Sequence, residues 1–263
     1  MIAYWALVSA RFRMLLQYRA AALAGMGTQL FWGLIRVMIF SAFYRSAAGP
    51  HPMSMAEVTD YVWLGQAMFA MLPWAMDQEL RAMIRSGTVA YELVRPVDLY
   101  FYWYCRAVAS RSAPTLLRSV PLFVAAFVFF GLSLPASPAS AAAWMASTAG
   151  ALILGCAVAN LIHISLMWTI AGEGVSQLAQ AAVFLLSGMV VPLPLFPDWA
   201  QPVLELLPFR GLADLPFRLY SGHIPPGQIW GVLANQGAWT LGLVVLGRWL
   251  LARGTRRLVV QGG

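Results

Sequence analysis

A chain of 263 residues that is 60% hydrophobic, only 10% charged and of mean hydropathy +0.70 cannot keep most of its surface in water, so it reads as an integral membrane protein built as one transmembrane domain over residues 1–263. All 17 of its basic residues are arginine; the missing lysine excludes a Walker A loop and a pyridoxal Schiff base, so any ATP that drives this chain is hydrolysed by another. The formal net charge of +7 does not imply nucleic acid, because no basic soluble segment is present to grip phosphates.

Residues 1–19 place Trp5, Val8, Phe12, Leu15 and Leu16 at helical spacing, with Ser9, Arg13 and Gln17 on a neighbouring stripe. This pattern predicts an amphipathic helix in the cytoplasmic interface, the alternative being an inward extension of the first span. Apolar residues precede the arginines, the reverse of a cleavable signal peptide, so the N-terminus is expected to be retained.

Six apolar runs are long enough to cross about 30 Å of hydrocarbon at roughly 1.5 Å per residue: residues 21–44, 58–76, 112–132, 141–168, 175–197 and 228–250. Arginines cluster before the first, between the second and third, and after the sixth, so the positive-inside rule puts both termini in the cytoplasm. Within the spans, Arg36 is the most costly residue, at roughly 2.5–3.5 kcal/mol for a mid-span charge, and must face protein or water. It is a candidate for the solute path or for a structural tie. Gln66, Asn160, His163, Gln177 and Gln180 are likewise candidates for lining a path or for bonding neighbouring helices.

Between the second and third spans lies the charged island 77–111. Asp77, Arg81 and Arg85 recur every four residues, with Leu80, Met83 and Ile84 on another face, which predicts a short amphipathic helix. Gly87 is placed to end it in a left-handed cap, and Pro96 stops the following segment, TVAYELVR. Tyr100–Tyr104 then form an aromatic cluster expected at the headgroup layer. Glu173, in the short turn between spans four and five, is read as a smaller cytoplasmic contact or as a cap.

From Ser187 to Gly222, six prolines interrupt an apolar stretch and forbid one continuous helix, which predicts short pieces on the outer face. Cys105 and Cys156 have neither metal-ligand nor disulfide spacing. His163 has no zinc-protease pattern and Ser187 no nucleophile-elbow context, so neither catalytic residues nor a metal site are expected.

The segments IRSG, AYELVRP and RRLVVQGG, with the proline-broken run SGMVVPLPLFPDWAQPVLELLPFRGLADLPFRLYSG, resemble permease subunits of type-2 ATP-binding-cassette exporters. That resemblance implies an all-α membrane protein with six spans, a bacterial inner-membrane location, and residues 77–96 as a coupling elbow that docks on an ATPase dimer. Asp77, Glu79, Arg81, Arg85, Gly87, Glu92, Arg95, Pro96 and Glu173 are then the coupling candidates, with Leu80, Ile84 and Leu93 holding the elbow against the spans. Ser187, Gly188, Pro192, Pro197, Pro208 and Phe209 are candidates for an outer gate within 187–222. The resemblance further implies a second permease subunit, identical or homologous, lipid contact, ATP and magnesium on the partner only, and efflux of drugs or toxic cations. An autonomous ion-coupled transporter or channel is the rival reading; it finds little support in a chain whose only intraspan acid is Asp60.

Overall fold

The computed structural model describes residues 2–46, 49, 51–74, 76–168 and 173–257, without the side chains of residues 2, 173 and 257. Its described residues form α-helices joined by turns and 3-10 segments: α1 Ile2–Leu15, α2 Arg19–Ser46, α3 Met55–Met68, α4 Gln78–Arg85, α5 Ala90–Leu93, α6 Leu99–Phe129, α7 Pro138–Ser165, α8 Glu173–Leu186, α9 Gln201–Leu206, α10 Asp214–Tyr220 and α11 Ile229–Gly254.

The starts are set by local chemistry. Ser54 and Glu57 form a reciprocal capping box at α3, Asp98 accepts the Phe101 N–H at 2.9 Å to cap α6, and Ser137 caps α7 with Pro138 in its first turn. Each cap satisfies donors that would otherwise be orphaned at a helix end. A turn at residues 16–18 separates α1 from α2, and α1 lies along α6. The Asp98 N–H donates to the Tyr4 hydroxyl at 2.8 Å, joining α1 to the start of α6.

Among the described residues four helices have the length and apolarity to cross a membrane: Arg19–Ser46, Leu99–Phe129, Pro138–Ser165 and Pro226–Gly254. The other two expected spans are shorter. The helix at the second is α3, 14 residues and about 21 Å, extended by a 3-10 turn at Phe69–Met71 before Pro73. It survives at that length because Val58 and Asp60–Met68 are buried by other helices, not bathed in lipid. The fifth ends at Leu186, where Gly188 takes a φ of +87° and turns the chain into the outer segments.

The third span differs most from its expected bounds. α6 begins at Leu99 rather than at residue 112, so the aromatic cluster is helical, and Tyr100 and Trp103 are buried against Leu80, Ile84 and Val89 instead of resting at the headgroups. Arg106 and Arg111 are buried in the same helix.

The largest apolar core surrounds Trp63 of α3, which is fully buried, stacks on Phe130 at 5.0 Å and donates its Nε1–H to the Phe130 carbonyl at 3.1 Å. At the same end, Asp60 accepts the Ser133 N–H at 2.7 Å and the Tyr220 hydroxyl donates to the Ser133 carbonyl at 2.7 Å. These bonds fasten α3 and α10 to the α6–α7 turn. The opposite end carries α1, α4, α5 and the close of α11, whose Arg248 pairs with Asp98 at 2.8 Å.

Gly33 lets α2 approach this core. A methyl group there would sit 2.5 Å from the Trp63 ring, which is packed on every side, whereas one at Gly27 would meet no atom within 4 Å. Gly33→Ala is expected to cost about 1–3 kcal/mol of stability through overpacking. Gly27→Ala is expected to be neutral or to gain up to about 1 kcal/mol from helix propensity. Thermal unfolding of the two variants in detergent reads the difference.

Candidate functional site

The elbow is built around one buried cation. Asp77 caps α4, accepting the N–H groups of Glu79 and Leu80 at 3.1 Å each. Its carboxylate also receives Arg106 of α6, at 2.5 Å from Nε and 2.8 Å from Nη2. Arg106 reaches Glu79 as well, at 2.5 Å, and Arg11 of α1 closes the cluster on Glu79 at 2.9 Å. Burial alone would raise the Asp77 carboxyl, but the hydrogen bonds and charge of Arg106 outweigh it and hold the group down at about 2. The hydrogen bond from Arg11 is the largest influence keeping Glu79 below its ordinary value.

Further ties fix the same turn. The Asp77 N–H donates to His163 Nε2 of α7 at 3.0 Å, so the ring carries its proton on Nδ1 in this arrangement. Asn160, one turn earlier, donates to the Tyr100 carbonyl at 3.1 Å. Both therefore bond the helices and the elbow together, and neither lines the two cavities described below. α4 ends after Arg85, with Gly87 at φ +72° just beyond its C-cap.

Glu92 is not on the outer surface expected of a docking contact. It is 6% exposed and accepts the Trp103 Nε1–H at 2.6 Å, while Leu93, expected to hold the elbow inward, faces out. The single turn of α5 explains the exchange: Val89 and Glu92 are three apart and both point to α6. The surface that remains outside is apolar at its centre, with Tyr91 74% and Val94 82% exposed beside Leu93. Arg85, Arg95 and Pro96 are exposed around it. Arg95 is steadied by Tyr102, to whose hydroxyl it donates at 2.6 Å. The Glu173 side chain lies outside the described residues.

A cavity of about 590 Å³ opens between α2, α3 and α8. Arg36 and Gln66, both candidates from the sequence, line it together with Gln29, Trp32, Trp74 and Phe184. Arg36 donates to the Met189 carbonyl at 2.6 Å and lies 5.7 Å from the Phe184 ring centroid. A second cavity of about 370 Å³ is lined by Gln78, Arg81, Ser176, Gln177 and Gln180. Trp74 borders both, stacked on Phe184 at 5.9 Å and edge-on to Phe69. Sequence reading passed over Gln29, Trp74 and Phe184. Gln29 and Arg36 are seven apart and so share the face of α2 that carries Trp32, a signal present in the spacing.

Among the outer-gate candidates, Ser187 is buried and its carbonyl accepts the Asp214 N–H at 3.2 Å. Gly188 makes the turn, while Pro192, Pro208 and Phe209 pack inward and Pro197 is exposed. α10 is sunk into the core rather than lying flat, with Asp214 fully buried and bonded to the Tyr61 hydroxyl at 3.0 Å. The two cysteines are free.

A family model described as ABC-2 family transporter protein matches residues 30–262, nearly all of the chain. No curated protein matches it.

Asp77→Asn separates capping from charge, since asparagine caps a helix as well as aspartate does. It leaves Arg106 with Glu79 alone and is expected to cost about 1–3 kcal/mol. Because the native carboxyl sits at about 2, below its ordinary value of about 4, the wild-type advantage is complete above that ordinary value. It is expected to fade as pH falls from about 4 to about 2, which paired unfolding curves of the two proteins across that range would show.

Proposed function

The chain belongs to the ABC-2 transporter family, and we propose that it is the membrane subunit of an ATP-driven exporter in a bacterial inner membrane. Membership makes it a multi-pass transport component whose relatives work with ATP-binding-cassette ATPases. The lack of any lysine agrees with hydrolysis on a partner chain. In this reading α3 and α8 complete six spans with both termini in the cytoplasm. Two permease subunits, identical or homologous, face each other, and ATP with magnesium stays on the ATPase dimer.

The observation that carries the proposal is the pairing of a rigid elbow with an exposed apolar knob. Tyr91, Leu93 and Val94 are large apolar side chains left uncovered on a segment whose Val89 and Glu92 are buried against α6. Such a patch with a cationic rim fits a groove on a soluble partner. Docking is therefore assigned to this knob with Arg85 and Arg95, and not to Glu92, whose carboxylate is committed to Trp103. Tyr91→Ala with Val94→Ala is expected to reduce ATPase co-purification at least tenfold, a loss of about 1.4 kcal/mol or more, while the permease inserts normally. Undiminished association would remove the elbow from the docking surface.

The two cavities support the reading of a solute path. Trp74 separates the chamber holding Arg36 from the one lined by Gln177 and Gln180, and it stands three residues before the capping Asp77. Closure of the ATPases, pushing on α4, would move Trp74 off Phe184 and join the chambers, in alternating access or a transient path at the permease interface. Residues 187–222 then serve as the outer gate. Of the solutes that family resemblance implies, drug-like amphiphiles suit these aromatic walls better than toxic cations, which Arg36 repels. Trp74→Ala is expected to leave ATPase binding intact but to raise basal ATP turnover severalfold without added transport, read by parallel ATPase and flux assays on proteoliposomes.

A further inference from the structure

The chamber beside Arg36 has a chemical selectivity written into its lining. Gln29 and Gln66 are 4% and 1% exposed, yet Oε1 of the first and Nε2 of the second have no hydrogen-bond partner among the described residues. Both residues line the cavity. Buried amides are ordinarily satisfied, and two half-used ones in one chamber mark a place where something polar is meant to sit.

Arg36 spends one of its five N–H donors on Met189 and lays its face towards Phe184. The remaining donors are unspent, and no aspartate or glutamate lines the chamber among the described residues. The rest of the wall is apolar and aromatic: Trp32, Ile35, Ile39, Phe40, Phe69 and Trp74. Gln29 and Arg36 are about 10 Å apart along the axis of α2, so the polar points are spread along an elongated apolar slot.

We infer that this chamber binds an elongated amphiphile with an anionic head, its negative charge on Arg36, its head accepting from Gln66 Nε2 and its apolar body along the aromatic wall. The identity of that anion as solute, as opposed to resident lipid, rests on the path reading given above. Either source presents the same chemistry to these residues. Cationic amphiphiles of the same shape are excluded by the uncompensated arginine in a low-dielectric setting.

The test uses the full chain in discs of zwitterionic phosphatidylcholine, with tryptophan fluorescence as the reporter. Trp32 and Trp74 line the chamber, and a Trp32→Phe, Trp74→Phe variant supplies the background from the other tryptophans. Two quenchers of matched length and permanent charge are compared: dibromooctadecyl sulfate and dibromooctadecyl trimethylammonium. The sulfate is expected to saturate the cavity signal at a concentration at least tenfold below that of the ammonium. Arg36→Gln is expected to erase the difference, Arg36→Lys to keep it, and Gln66→Leu to weaken the sulfate severalfold. The lysine variant and unchanged unfolding midpoints guard against a folding defect.

Equal or tighter binding of the ammonium, discrimination that survives Arg36→Gln, or no saturable quenching by either probe overturns the inference. Discs containing brominated phosphatidylglycerol separate the sources: Arg36-dependent quenching there, which excess free sulfate fails to displace, assigns a resident lipid, and displacement assigns a solute. The path reading fails separately. If the sulfate binds through Arg36 yet alters neither ATPase rate nor its own flux in the assembled complex, the charge selectivity stands and the path does not.

Discussion

Arg106 is the point on which the elbow end of this protein hangs. Its guanidinium is almost wholly buried, so without partners it would carry a desolvation cost of several kcal/mol. Asp77 and Glu79 supply those partners from the first turn of α4, and Arg11 brings α1 onto the same acids. One ion cluster thus fixes the N-terminal helix, the elbow and α6 relative to each other. A buried pair of this kind is weak grounds for high stability, since its Coulombic gain roughly repays desolvation. Its geometric consequence is firm, because any displacement of α4 from α6 strips the charge of its neighbours.

That constraint changes what the elbow can do. A loosely held coupling segment would absorb a push by bending; here the acids, the His163 contact and the Glu92–Trp103 bond leave few soft joints. Motion imposed at Tyr91 and Val94 must pass as movement of the whole turn. Trp74 stands three positions before Asp77 in the sequence, so the proposed docking turn and the residue that borders both chambers are close along the chain. In the proposed mechanism this proximity along the backbone replaces a long relay of side chains. Pro73 and the 3-10 turn before it end α3 just ahead of Trp74.

Much of this was legible in the sequence, and the failures have physical causes. Hydropathy located the apolar runs and arginine counting located the elbow, because both depend on composition within a window. Gly87 was legible since a left-handed turn demands little beyond its own residue. The start of α6 was missed: Arg106 and Arg111 dilute the hydropathy of its first half, and only packing against Leu80 and Ile84 with the pairing to Asp77 repays their burial. The spacing of Asp77 with Arg81 and Arg85 located the helix, but the bond of Asp77 to Arg106 spans 29 positions, which no local period encodes. Glu92 and Leu93 exchanged faces for the same reason: in a single helical turn, one hydrogen bond to Trp103 outweighs the apolar preference of a leucine. Gln29 was passed over because its burial depends on the packing of α2 against α3, which its own neighbours in sequence do not encode.

The electrostatics of Arg36 give the membrane half of the molecule its own constraint. Placing it mid-span costs roughly 2.5–3.5 kcal/mol, and a carbonyl with an aromatic face recovers only part, because neither bears a full negative charge. A unit charge held about 5 Å away, at an effective dielectric near 20, changes the energy by roughly 3 kcal/mol, favourable for an anion and unfavourable for a cation. That single term is comparable with the whole insertion cost, and the swing between the two signs is about twice as large. A helix that needed only a structural tie could have used glutamine at this position for far less. In the proposed reading the occupant of the chamber completes the charge balance of Arg36, so that loading the chamber and relieving the arginine are one event.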